Sequence, residues 1–404
     1  MTATTENLST DHSRATADGA HAHGAGTHPE SSRGDRRSSF ALADFPVPTG
    51  REEDWRFSPV DRFQRIFASG LTGAGPTVTV QKDDAVRVER VGRDDPRLGV
   101  AGAPGDRAAA AAWESFGEAT VVTVPRGHAG GRHTYLAVHG DEATAAAPAA
   151  QHLLVVAEEL SESLVVLDHS GTAEVAQTVE VDVRDGAHLT LVSVQDWAAG
   201  TVHLAAHRVR LGRDAHLKHI VVTLGGDAVR VTTDAAFTAP GADVELLGLY
   251  FTDAGQHQEH RLFVDHAVES CRSRATYKGA LQGTDAHAVW VGDVLIRKEA
   301  EGTDTYELNR NLVLTEGARA DSVPNLEIET GEIEGAGHAS ATGRFDDEQL
   351  FYLRSRGIPE ADARRLVVRG FFAELIAQIG VPLVQDRLMA AIEEELDRTM
   401  AAAG

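Results

Sequence analysis

The sequence predicts a mainly β chain wound as a β-solenoid, with helical regions at both ends. Three observations predict it. From about residue 119 to about residue 333, short β-rich runs follow one another with only brief Gly, Asp and Ala breaks. Within that stretch "DGAHLTLVSV", "RDAHLKHIVVTL" and "PGADVELLGLYF" read as copies of one unit; their alanines, Ala187, Ala215 and Ala242, are separated by 28 and then 27 residues. A near-constant period of that size, with strands and no helix inside it, suits coils that stack around a shared apolar column. After residue 345 the apolar residues change to helical spacing. A β-sandwich remains the competing architecture, because its turns also recur at intervals of about 8 to 12 residues.

Residues 1–40 are polar, rich in Ser, Thr, Gly and His, and lack the apolar block of a signal peptide, so a disordered tail is expected. Residues 41–118 are expected to form an N-terminal helical region. In "VDRFQRIF", Val60, Phe63 and Phe67 share one face, and "DRAAAAAWESF" makes a further helix. Trp55 and Arg56 are read as pinning this segment to the body. Residues 119–343 make the β core. "TVVTVP", "HLLVVAEE", "SLVVLDH", "TVEVDV", "HLTLVSVQ", "TVHLAAHRVRL", "HLKHIVVTL", "AVRVTTDAAF" and "DVELLGLYF" are its strands, many alternating apolar with polar.

Residues 344–404 form a C-terminal helical region. Its first helix takes Asp346 as N-cap, with Gln349 three residues on and Gly357 as its stop. A second helix, with Pro359 near its first turn, carries Ala363, Leu366, Val367, Phe371, Leu375 and Ile379 along one stripe. After Pro382, Val384, Leu388, Ile392 and Leu396 recur at every fourth residue. These helices are expected to cap the last coil, whose edge would otherwise be bare.

A formal charge of −23 disfavours nucleic acid or an anionic membrane as a partner, since both need a basic face. No run of about 18 apolar residues is present to span a bilayer. Cys271 is the single cysteine, which precludes an intrachain disulfide and fits a cytoplasmic protein. One thiol also cannot form the four-thiolate cage that usually holds an iron–sulfur cluster. Cys271 itself reads as a small buried residue rather than a reactive thiol.

No phosphate-cradling G-x-x-x-x-G-K-[ST] loop is present, and none of the four lysines follows a glycine, so the chain itself binds no nucleotide this way. His216 and His219 lie three apart on a strand and point to opposite faces. His203 and His207 share a face but stand roughly 13 Å apart, too far for ligands that each approach zinc to about 2.1 Å. His257 and His260 flank an expected turn and are harder to exclude. His338, in "EGAGHASATGRF", sits among small residues after the last expected strand, where a side chain stays uncrowded. In "FYLRSRGI", Phe351, Tyr352 and Leu353 beside Arg356 suggest a docking surface on an otherwise solvated helix.

Three stretches, "GREEDWRFSPV", "TDTYELNRNLVLTEGARADSVPNLEIE" and "GHASATGRFDDEQLFYLRSRGI", together resemble the SufB/SufD family of iron–sulfur cluster assembly proteins. The resemblance spans roughly residues 45 to 400. It is to the SufD side, because SufB members carry a sulfur-accepting cysteine soon after the "RN" strand and "RNLVLTEGARADS" has none. It implies a right-handed parallel β-helix between helical regions. It also implies a non-catalytic scaffold that pairs with a SufB-like paralogue through its last strands, with a SufC-like ATPase docked on the C-terminal helices. A transient cluster would be shared with the partner chain, and His338 corresponds to the family's histidine implicated in its assembly. Ala336 and Ala339 stand where many members have cysteine and glycine. The rival reading is a single-chain β-helix enzyme acting on carbohydrate or acyl substrates, but no recognisable catalytic set is present.

Overall fold

Among the described residues, 32–345 and 347–402, the computed structural model contains eighteen strands and six α-helices. Two short strands come first, β1 (Thr77–Gln81) and β2 (Arg87–Gly92), then β3 (Glu118–Val124), β4 (Thr134–Gly140) and β5 (Ala149–Ala157). The middle coils hold β6 (Glu162–Gly171), β7 (Glu174–Val183), β8 (His188–Trp197), β9 (Val202–Leu211), β10 (His216–Thr223) and β11 (Ala228–Phe237). The later ones hold β12 (Asp243–Thr252), β13 (His257–His266), β14 (Arg272–Leu281) and β15 (His287–Ile296). The end is made by β16 (Asp304–Val313), β17 (Arg319–Ile328) and β18 (Gly335–Arg344). The helices are α1 (Val60–Phe63), α2 (Arg107–Ser115), α3 (Glu142–Ala146), α4 (Asp347–Ser355), α5 (Glu360–Ile379) and α6 (Pro382–Ala402).

Successive strands alternate between two sheets. One runs β1-β4-β6-β8-β10-β12-β14-β16-β18 and the other β17-β15-β13-β11-β9-β7-β5-β3-β2. From β3 onward neighbours are parallel; only β1 on β4 and β2 on β3 are antiparallel. That pattern is a parallel solenoid and not a sandwich. His188, His216 and Asp243 align in register, so the alanine before each, Ala187, Ala215 and Ala242, occupies one corner of successive coils. Cys271 and Thr303 take the same corner in the next two coils, ahead of β14 and β16, and are equally buried. The cysteine is therefore the next member of the repeat, a small residue where the chain turns. It is 1% exposed, and its thiol donates to the carbonyls of Ala239 and Glu269.

Inward side chains such as Leu189, Leu217 and Val244 stack into the common apolar column. Outward ones on the same strands, Val192, Val194, Ile220, Val222, Leu247 and Leu249, are covered by α5 and α6. Burial on both faces explains why these strands read as near-continuous apolar runs.

Several expectations need correction. The C-terminal helices do not cap the last coil: α5 contacts β12 and β14 and lies flat on the outer face of that sheet. The buried stripe of α5 is Ala363, Val368, Phe372, Leu375, Ile376 and Ile379, while Leu366 is 48% exposed. The doublets Val367–Val368 and Phe371–Phe372 let two helical stripes fit one sequence, and packing selects the second. Residues 41–118 contribute β1 and β2 besides α1 and α2. Trp55 does anchor this segment, edge-on to Phe67 at 5.0 Å and under the buried Arg230 guanidinium at 4.0 Å, whereas Arg56 is exposed. Residues 1–31 of the polar tail and the expected cap Asp346 lie outside the described residues.

Candidate functional site

His338 lies not in a loop but on the final strand, β18. "GAGHASATGR" carries no apolar alternation, so nothing local announces a strand; pairing with β16 makes it one. The small residues permit that pairing. A Cβ built on Gly337 would come within 3.2 Å of the Tyr306 ring.

The register pairs Glu307 with His338, Asn309 with Ser340 and Asn311 with Thr342. Neighbours in parallel register project to one side, and on β16 residues 305, 307, 309, 311 and 313 are the buried ones. His338 therefore projects on the inner face of the column. Ser340 confirms the direction by donating across the coil to the Ser322 hydroxyl of β17 at 2.7 Å. Because β18 is the last strand of its sheet among the described residues, His338 is exposed. β17 likewise pairs only with β15, so two ten-residue edges and one imidazole meet at the open end.

One coil deeper, Glu307 is 2% exposed, and neither carboxyl oxygen has a hydrogen-bond partner. It reaches across the column to β15, where a Cβ on Gly292 would lie 2.5 Å from Glu307 Oε1 and from the Trp290 ring. Burial, with the nearby negative charge of Asp293, pushes its carboxyl up to about 8. Further along the same strand, the Asn309 amide donates to the Tyr250 hydroxyl at 3.0 Å, and the Asn311 amide to Asn309 Oδ1 at 2.8 Å.

On α4, the element after β18, Phe351 and Tyr352 are 74% and 56% exposed and Leu353 is half-buried, while Arg356, just past its end, is exposed. The Arg356 guanidinium donates to the Tyr352 hydroxyl at 2.8 Å and lies 4.9 Å from that ring's centre. These residues are an aromatic and cationic patch held by its own contacts.

Among the described residues, eight other histidines, including His203, His207, His219, His257 and His260, are buried, while His188 and His216 are exposed. His257 and His260 both belong to strand β13, not to a turn, and project to opposite faces. Packing across the column brings His207 Nδ1 within 2.8 Å of His219 Nε2, and coil-to-coil pairing stacks the rings of His188 and His216 at 4.4 Å; sequence spacing reveals neither. Trp197 Nε1 donates to His203 Nδ1 at 3.0 Å. Burial lowers the proton affinity of His203 and His207 well below the ordinary value, that of His169 and His219 to about 4 and that of His260 to about 3. Burial also pushes the Cys271 thiol up, away from thiolate chemistry. Among the described residues no group of three or more His, Cys, Asp or Glu side chains is arranged to hold a metal ion. No described helix is long and apolar enough to cross a membrane.

Residues 139–371 match the SufBD core domain of SUF-system FeS cluster assembly. Over 374 residues the chain is 57% identical to an iron–sulfur cluster assembly SufBD family protein of Mycobacterium tuberculosis, covering 91% of this chain and 94% of that one. It is 28% identical to the iron–sulfur cluster assembly protein SufD of Escherichia coli over 216 residues, 54% of this chain and 51% of the other. SufD of Bacillus subtilis is 28% identical over 255 residues, 61% and 57% of the two chains.

Proposed function

This chain belongs to the SufBD family of iron–sulfur cluster assembly proteins, and from that premise we propose that it is a SufD-type scaffold subunit, itself non-catalytic. It pairs with a SufB-like paralogue and docks a SufC-like ATPase in the cytoplasm, and a transient cluster is built between the paired chains. The observation that carries this reading is the open last coil, where the edges of β17 and β18 stand beside the exposed imidazole of His338. Bare parallel edges of that length are templates for pairing with another chain. A cluster is cargo here. The chain's one thiol is buried at a corner, so sulfur and most ligands come from the partner, and His338 supplies an imidazole, which can replace thiolate on iron. The ATPase docks at Phe351, Tyr352, Leu353 and Arg356, an aromatic and arginine combination typical of interface anchors.

Purified alone, the chain is expected to be colourless and to hydrolyse no ATP. Co-purified anaerobically with the two partners, it should carry the broad visible absorption of an iron–sulfur cluster. A stoichiometric cluster reconstituted on the isolated chain would contradict the scaffold reading.

A further inference from the structure

Glu307 is an anomaly for a structural residue. A buried carboxyl with both oxygens unbonded costs free energy, and native interiors keep few such groups. Nothing in its surroundings compensates: the facing residue is Gly292, the adjacent ring is Trp290, whose Nε1 is also unpartnered, and the negative charge of Asp293 opposes ionisation. Its position is the informative part. It is the register neighbour of His338, on the same inner face, one coil below the open end. Adjacent strands are about 4.8 Å apart. Rotation of the longer Glu307 side chain toward the mouth therefore brings its carboxylate to the imidazole with room for one cation between.

We propose that Glu307 and His338 together form a loading site for ferrous iron, half-built in this chain and completed by donors from the partner. The inference rests on the reading of His338 given above and adds a second ligand to it. One carboxylate and one imidazole suit a divalent first-row cation of intermediate softness. Two protein ligands leave the remaining positions to water, and then to sulfur or partner side chains. Coordination exchanges the carboxyl proton for the cation; the proton passes to solvent and no electron is transferred.

The test uses the full chain labelled with 5-fluorotryptophan and titrated anaerobically with ferrous iron alone. Four tryptophans give four fluorine resonances, and Trp290 lies beside the site, so histidines elsewhere do not confuse the readout. The Trp290 resonance should shift and saturate. In Glu307→Gln the iron midpoint should rise roughly tenfold or more, at least the cost of losing a residue that supports a metal ligand. Glu307→Met should lose the shift while melting higher than the parent, because an unpartnered carboxyl has been removed; lower melting would assign Glu307 to packing and overturn the proposal. An unchanged midpoint in Glu307→Gln also overturns it. If His338→Ala alone loses the shift, the imidazole reading survives without Glu307. If both variants lose it while His338→Ala complexes still build clusters normally, the iron pair stands and the assembly role of His338 falls.

Discussion

The interior histidines set how the fold responds to acid. His169 and His219 are held near 4, and His260 and His266 near 3, in each case chiefly by burial. Their folded values lie below the ordinary 6.5, so the stability they contribute is complete above about pH 6.5 and is lost as pH falls toward 4 and below. For His219 the difference is on the order of 3 kcal/mol. Glu307 runs the other way, its contribution declining as pH rises from 4.5 through about 8, but it is one group against several. Urea midpoints measured from pH 7 to pH 4 should fall steeply, and His219→Gln, which can still bond to His207, should flatten the fall. A midpoint independent of pH would contradict the buried, neutral assignment. Residue types alone revealed part of this. The opposite-face reading of His216 and His219 holds, with one exposed and one buried. The pairing of His207 with His219 was invisible, because their contact depends on how facing strands stack, not on spacing along one strand. Glu307 was missed for the same reason: in "TYELNRN" it looks like any alternating polar residue.

At the scale of elements, strands with aliphatic alternation were legible, and so was α6, whose Val384, Leu388, Ile392 and Leu396 are all buried. β18 was not, because its order comes from β16 and not from its own side chains. The placement of α5 and α6 changes how docking should be tested. Deleting the helices would strip Val192, Ile220, Val222, Leu249 and Phe251 of their cover and expose a broad apolar face, so aggregation would mimic lost binding. Point changes on α4 avoid this. Phe351 and Tyr352 are exposed, so Phe351→Ala and Tyr352→Ala should leave melting within a few degrees of the parent. Each should weaken capture of the ATPase by about 2 kcal/mol, roughly thirtyfold. Undiminished capture by the double variant would move the docking surface elsewhere.

At the scale of the whole molecule, the repeat marked by Ala187, Ala215 and Ala242 predicted the solenoid correctly because one corner residue per coil must be small and buried. The helical ends were legible too, but not that they lie along the column and leave its end open. That openness is what the account turns on. It puts His338 on the inner face of an unfinished coil, where, in the proposed complex, a partner's strands would extend the sheets and enclose a cluster against the imidazole. The most direct test is His338→Ala, with cluster yield and melting temperature measured on the same anaerobically co-purified complex. An exposed side chain has little packing to lose, so stability should change by no more than about 0.5 kcal/mol and the partners should still assemble. Cluster yield should fall by about tenfold or more, since a methyl group cannot replace a ligand. Normal yield in the variant would contradict the claim that this imidazole serves the cluster.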